Sequence, residues 1–524
     1  LSEEQEITKS GGAIAGLTMI SRVLGVVRDM VASNAFGANY IADAYYVAFS
    51  IPNMLRKLAG EGSLTISFIP VFTGELEKKG KEQAMKLAYS TFWVTLILLG
   101  LITALGMIFS PQITSLLAPG FGNVAGKMEL ATRMTFEMFP YTIMICMVAL
   151  CMGILNSFRH FAAPAASQIL LNIASILAIL LINNRYHFWH PGVALVVGVL
   201  VGGALQFLIQ VPPLLKHGFR FKLYLDLRHP GLRQIGKIML PSLFAASIYQ
   251  LNVFINTIFV SRFPGGRSWI YYADRFIELP LAIFGIAIAT AILPNLSSYA
   301  ARSELDRFRE LLGFGLRLVA FLIIPSMLGL IFLRVPIVSL IYQHGEFQSS
   351  DTLQTAFAVL FYALALWASA GARIMTQSFY ALKDARIPAI CAAVGMILNL
   401  IGCATLTRIP RLGFAGVALS TSLATMLNFL LLFVIFTTRR VRMDFSHLGA
   451  TIFRCLLASI PMVALAAYVS RLGIWLQAGH TLDKILWVLA AVLGGAGMYF
   501  GIARLLKMSE LEPLLGLLGR KPHA

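Results

Sequence analysis

The 524-residue chain is 58% hydrophobic and only 13% charged. Soluble proteins have about a quarter of their residues charged, so a string of soluble domains is excluded and an integral membrane protein remains. The formal net charge of +18 does not point to nucleic acid, because polytopic membrane proteins gather Lys and Arg in their cytoplasmic loops.

The N-terminal LSEEQEITKS is acidic and lacks a basic n-region with a cleavage site, so the first hydrophobic segment is expected to be a retained helix. About fourteen segments reach the ~20 residues needed to span a bilayer. They fall near 11–35, 40–60, 84–110, 130–156, 163–183, 191–214, 236–261, 269–299, 308–334, 352–381, 386–407, 412–437, 447–470 and 482–506. The fold class is therefore an all-α membrane protein. Its inner loops, such as LEKKGKEQAMK and KHGFRFKLYLDLRHPGLRQIGK, carry roughly three times the Lys and Arg of outer loops such as PQITSLLAPGFGNVAGK, which places both termini in the cytoplasm.

The first two segments carry Arg22, Arg28, Asp29, Asp43, Arg56, Lys57 and Glu61 within Ser21–Pro70. A charge at the bilayer centre costs at least ~2.5–3.5 kcal/mol by insertion scales, so these groups should pair with one another or face a wet cavity. Ser21, Gly25 and Arg28 share one helical stripe, and Asp43, Tyr46, Ser50, Asn53 and Lys57 form another. Pro52 interrupts the second helix, and Gly60 and Gly62 loosen its end. The bland alternative is that Lys57 and Glu61 sit at a helix end and snorkel to headgroups.

An internal repeat is visible. Pro164 and Pro388 stand 224 residues apart, as do Pro70 and Pro294, and Gly192-Val-Ala-Leu195 recurs at that spacing as Gly416-Val-Ala-Leu419. Six spans intervene, so the halves are parallel repeats, with the last two helices outside them. The second-half counterpart of the opening stretch is SWIYYADRFIELP, where Asp274, Arg275 and Glu278 can pair locally. Glu137, Arg317, Arg373 and Arg454 read as ion-pair or snorkelling residues, and Asn172, Gln250, Asn252, Asn256, Asn399 and Asn428 as interhelical hydrogen-bond formers. Cys146, Cys151, Cys391, Cys403 and Cys455 lie in apolar runs and read as buried thiols. No Walker A, GxSxG, HExxH or CxxC motif occurs, so no ATP site, cofactor or metal is expected; energy would come from the membrane potential, an ion gradient or the substrate's own gradient.

SRVLGVVRD, ADAYYVAFSIPNMLRK, GEGSLTISFIPVF and YYADRFIELP resemble the signature stretches of the MurJ (MviN) family of lipid II flippases, within the superfamily of multidrug and polysaccharide-lipid exporters. That resemblance implies a V-shaped, alternating-access transporter: a first lobe over 1–220, a second over 221–440, and C-terminal helices over 441–524 that form a groove for the lipid tail. It implies substrate contacts from Arg22, Arg28, Arg56, Arg275, Asn53 and Ser268, with Asp29, Asp43, Asp274 and Glu278 as gating or charge partners. The implied partners are lipid II and membrane lipids, without nucleic acid, and the implied form is a monomer in the bacterial inner membrane with no enzymatic activity. The carboxylates are expected to hold the arginines while the cavity is empty. The second half offers mainly amides, which leaves a sodium site unsupported. An exporter of another lipid-linked oligosaccharide, or an ion-coupled multidrug exporter, is the competing reading; a cationic-drug pump should place net negative charge in its cavity. A membrane enzyme acting on polyprenyl-phosphate lipids would need a sizeable interfacial loop, and a cell-wall scaffold would tolerate neutral residues at Arg22, Arg28 and Arg56.

Overall fold

A computed structural model describes residues 3–183, 190–439 and 446–513, and these are helical apart from connecting loops. The helices are α1 (Glu3–Phe36), α2 (Tyr40–Leu55), α3 (Thr65–Ile108), α4 (Ser110–Leu117), α5 (Lys127–Ser157), α6 (Ala162–Ile182), α7 (Val193–Leu208), α8 (Val211–Lys216) and α9 (Pro230–Val260). They continue with α10 (Gly266–Pro280), α11 (Ala287–Ala301), α12 (Leu305–Tyr342), α13 (Ser349–Leu364), α14 (Leu366–Ala381), α15 (Arg386–Leu406), α16 (Ala415–Arg439), α17 (Ser446–Ser470) and α18 (Thr481–Leu505). π-Helical segments at Arg56–Leu64 and Leu281–Ile286 follow α2 and α10 without a break.

Ten helices among the described residues are long and apolar enough to cross a membrane, or eleven if the α13–α14 pair, bent by 42°, is one span. This is fewer than the fourteen segments expected. α1, α2 and α9 fall outside that set. In α1 the side chains of 3–15, and in α9 those of 244–246 and 248–249, lie outside the described residues, and α2 has only 16 residues before its π-helical continuation, so the count leaves the fourteen segments untested.

Two compact units divide the chain, Leu1–Ser268 and Trp269–Ala524. In the first, α5 is the most enclosed span and packs against α2, α3 and α7. α7 approaches α6 closely because Gly198 and Gly202 lack side chains: a Cβ at either would fall 2.8 and 2.7 Å from atoms of Ser175 and Leu171. In the second, α17 and α18 dock on α12. Phe321 and Ile324 pack with Cys455, Met462 and Tyr499, whose hydroxyl donates to the Phe321 carbonyl at 2.7 Å. All five cysteines are buried and unbridged.

The repeat extends to backbone detail. α6 and α15 each span 21 residues, and both their first and last residues stand at the spacing of Pro164 and Pro388. The turns preceding them match as well. Arg159 and Lys383 both adopt left-handed φ, at 57° and 58°. The following N–H groups, of His160 and Asp384, donate to the carbonyls of Leu155 and Phe379, each at 2.9 Å. This is the helix-terminating geometry that glycine normally serves.

A left-handed residue other than glycine costs roughly 1–2 kcal/mol, partly offset by glycine's looser unfolded chain. Arg159→Gly and Lys383→Gly are each expected to stabilise the protein by about 0.5–1 kcal/mol. Thermal unfolding in detergent should show both variants with higher melting temperatures than the parent.

Candidate functional site

Asn39 opens α2 as its N-cap, its side chain accepting from the N–H groups of Ile41 and Ala42 at 2.9 and 3.2 Å. That start sets Asp43 in the first turn, where a carboxylate complements the helix dipole. Asp43 is fully buried. Oδ2 accepts from Lys127 Nζ at 2.6 Å and from the Gly265 N–H at 2.8 Å. Oδ1 accepts from the Ser268 N–H at 2.9 Å and its hydroxyl at 2.7 Å. One carboxylate thus ties α2, the first residue of α5 and the first turn of α10, where it satisfies a donor that the helix leaves open. Lys127 is 1% exposed, with Nζ 4.2 Å from the centre of the Phe121 ring.

The arginines bond carboxylate, amide and hydroxyl oxygens. Arg28, half-buried on α1, donates through Nε and Nη2 to Asp29 Oδ1 at 3.1 and 2.8 Å, and through Nη1 to Asn172 Oδ1 at 3.3 Å. Asn172, on α6, also donates to the Ser21 carbonyl at 3.0 Å. Arg22 is exposed on α1. Arg56 begins the π-helical segment and grips Asn53 Oδ1 through Nε and Nη2, at 3.1 and 2.8 Å. In that segment the Ser63 hydroxyl reaches the Leu58 carbonyl, five residues back. In the second unit, Arg275 bonds Glu278 at 2.8 Å and the Tyr271 hydroxyl at 2.7 Å, and lies 4.6 Å from the centre of the Tyr271 ring. Asp274 is exposed beside it. The Glu61 side chain lies outside the described residues.

These contacts correct one expectation. Asp43 does not hold an arginine; its bonds go to Lys127, Gly265 and Ser268. Ser268, expected as a substrate contact, is fully buried against that carboxylate. Asp29 and Glu278 do hold arginines, Arg28 and Arg275. Lys127 was missed by sequence reasoning because it closes a loop that reads as an outer, solvated one. A signal existed: a cation at the first position of a helix opposes the dipole and needs a carboxylate partner.

The chain matches a family model described as "Lipid II flippase MurJ" over residues 32–487. It is 32% identical to "Lipid II flippase MurJ" of Burkholderia cenocepacia, covering 93% of this chain and 95% of that one. It is 35% identical to "Probable lipid II flippase MurJ" of Vibrio cholerae, covering 82% of each. A solved structure described as "Lipid II flippase MurJ, inward closed conformation" superposes with a TM-score of 0.77 at 26% identity, covering 94% of this chain and 99% of that one. An inward-facing MATE family multidrug transporter of the MOP superfamily shares the fold at 14% identity, with a TM-score of 0.69 over 82% of this chain and 97% of that one.

Removing one partner of a buried ion pair leaves the other uncompensated, at a cost of about 3–5 kcal/mol. Asp43→Asn is expected to destabilise the protein by that order. Adding Lys127→Met should recover part of the loss, with a coupling energy of about 0.5–3 kcal/mol. A double-mutant cycle of unfolding in detergent reads this, and strictly additive losses would contradict the clamp.

Proposed function

The chain belongs to the lipid II flippase MurJ family, and we infer that it carries lipid II from the inner to the outer leaflet of a bacterial cytoplasmic membrane by alternating access. The observation that carries this reading is Arg28: a guanidinium kept half-buried on a membrane helix by Asp29 and Asn172, both of which can release it. Guanidinium groups stay charged and pair with phosphate oxygens through forked, charge-assisted hydrogen bonds. A diphosphate would exchange with Asp29 at Arg28 and with Asn53 at Arg56, and the Arg275–Glu278 pair offers the same exchange in the second unit. Arg22, exposed on the same helix as Arg28, adds positive charge on the approach.

Asp43 acts differently in this scheme. Its bonds close the outer ends of α2, α5 and α10, and outward opening has to release the Gly265 and Ser268 donors while Lys127 keeps the carboxylate neutralised. The π-helical segments after α2 and α10 are where those helices can change register without breaking their backbone bonding. The positive-inside pattern supports two cytoplasmic termini. The two repeats would have boundaries near 220 and 440, and α17 and α18 would offer the groove for the lipid tail.

The chain would act as a monomer and without chemistry on its substrate. The driving force is the membrane potential or an ion gradient. With the cell interior negative, outward movement of an anionic diphosphate is favoured by about 2.3 kcal/mol per charge per 100 mV.

Complementation tests the reading. In cells depleted of their own lipid II flippase, the parent chain should restore growth and expose lipid II outside. Arg28→Ala and Arg56→Ala, inserted at parental levels, should fail, and Asn172→Ala should rescue partially. Full rescue by the arginine variants would make those residues structural. Failure of a correctly inserted parent would favour a different lipid-linked oligosaccharide as the substrate.

A further inference from the structure

Between α8 and α9, the non-helical residues 219–228 place apolar side chains at every second position: Phe219, Phe221, Leu223, Leu225 and Leu227. Phe219 is buried against Tyr89 and Phe92, which anchors the start of the segment. Leu223 and Leu227 are 79% and 68% exposed, far more than hydrophobic side chains in an ordinary loop leave to water. Arg220, Lys222 and Arg228 stand exposed among them, and Asp226 is the one carboxylate in the segment.

The backbone of this ribbon is fixed to α3 along a single row. Tyr89 Oη accepts from the Arg220 N–H at 3.3 Å, Ser90 Oγ accepts from the Asp226 N–H at 3.1 Å, and Trp93 Nε1 donates to the Lys222 carbonyl at 2.8 Å. Trp93 heads a stripe that continues at four-residue steps through Ile97, Leu101 and Leu105, all three exposed and apolar. This stripe is the lipid-facing side of α3. Counting the ~20 residues of a bilayer core back from Ile108 reaches Tyr89, so the row that holds the ribbon sits at the membrane boundary. A tryptophan at that depth is typical of the interface. Burial, with His160 and Lys81 nearby, holds the adjacent His217 below the ordinary histidine range, so it is neutral at cytoplasmic pH and the fixed charge comes from Arg and Lys.

We propose that residues 219–228 are an interfacial anchor that binds anionic phospholipid of the inner leaflet. Leu223, Leu225 and Leu227 enter the acyl boundary while Arg220, Lys222 and Arg228 pair with headgroup phosphates. Continuity with the lipid-facing stripe of α3 and the excess of cations select a lipid surface as the occupant. The inner-leaflet assignment rests on the orientation inferred above.

The test uses the full chain with Leu223→Cys carrying an environment-sensitive fluorophore; the five native cysteines are buried, which favours labelling at this position. In nanodiscs containing phosphatidylglycerol the emission should be blue-shifted relative to phosphatidylcholine nanodiscs. The shift should fall with added salt and be lost when Arg220→Gln, Lys222→Gln and Arg228→Gln are combined. Equal, water-like emission in both lipids would overturn the anchor, and equal apolar emission in both would overturn the headgroup pairing. A membrane-impermeant maleimide on intact cells should fail to reach Cys at 223. Labelling from outside would instead overturn the orientation and, with it, the inner-leaflet assignment.

Discussion

A charge inside a bilayer must be neutralised where it stands, and this constraint orders the first unit. Asp43 has no access to water, and its four hydrogen bonds use the capacity of both carboxylate oxygens. Each partner comes from an element that would otherwise be unsatisfied: a lysine facing the wrong end of a helix dipole, and the open donors at the start of α10. The N-terminal ends of α2 and α5 and the Gly265–Ser268 turn depend on this one group. A buried ion pair of this kind contributes less net stability than its contacts suggest. Its value lies in fixing which elements meet.

The arginines meet the same constraint by another route. Arg28, Arg56 and Arg275 are half-buried, and each bonds a neighbour no more than three residues away, Asp29, Asn53 and Glu278, with Arg28 also reaching Asn172 on α6. A partner close in sequence meets the guanidinium where it stands and leaves it charged. The distinction between a locked carboxylate and exchangeable arginines is the physical basis of the transport reading. In that reading, one group holds the frame while the others meet the substrate.

Much of this was legible in the sequence, for identifiable reasons. The repeat was visible from prolines and a shared tetrapeptide because both mark backbone geometry, and the matched turns at Arg159 and Lys383 follow from that geometry. Local pairing of Arg275 with Glu278 was legible because helical spacing fixes it. Long-range pairing was not. Lys127 lies 84 residues from Asp43, and Gly265 more than two hundred, and no periodicity connects such positions. The fourteen expected segments are not all matched by spans among the described residues, because α2 is short before its π-helical continuation and side chains in α1 and α9 lie outside the described set. The π-helical segment at Arg56–Leu64 was seen only as loosening by proline and glycine.

The most direct measurement is the affinity of the purified chain for lipid II, set against an analogue that keeps the sugar-peptide head and polyprenyl tail but lacks the diphosphate. If the arginines recognise the diphosphate, the analogue should bind at least tenfold more weakly, a difference of about 1.4 kcal/mol. Replacing Arg28, Arg56 and Arg275 with glutamine should then remove the preference between the two ligands. Equal binding of both ligands by the parent chain would contradict the account, since the half-buried arginines would then serve the fold rather than the substrate.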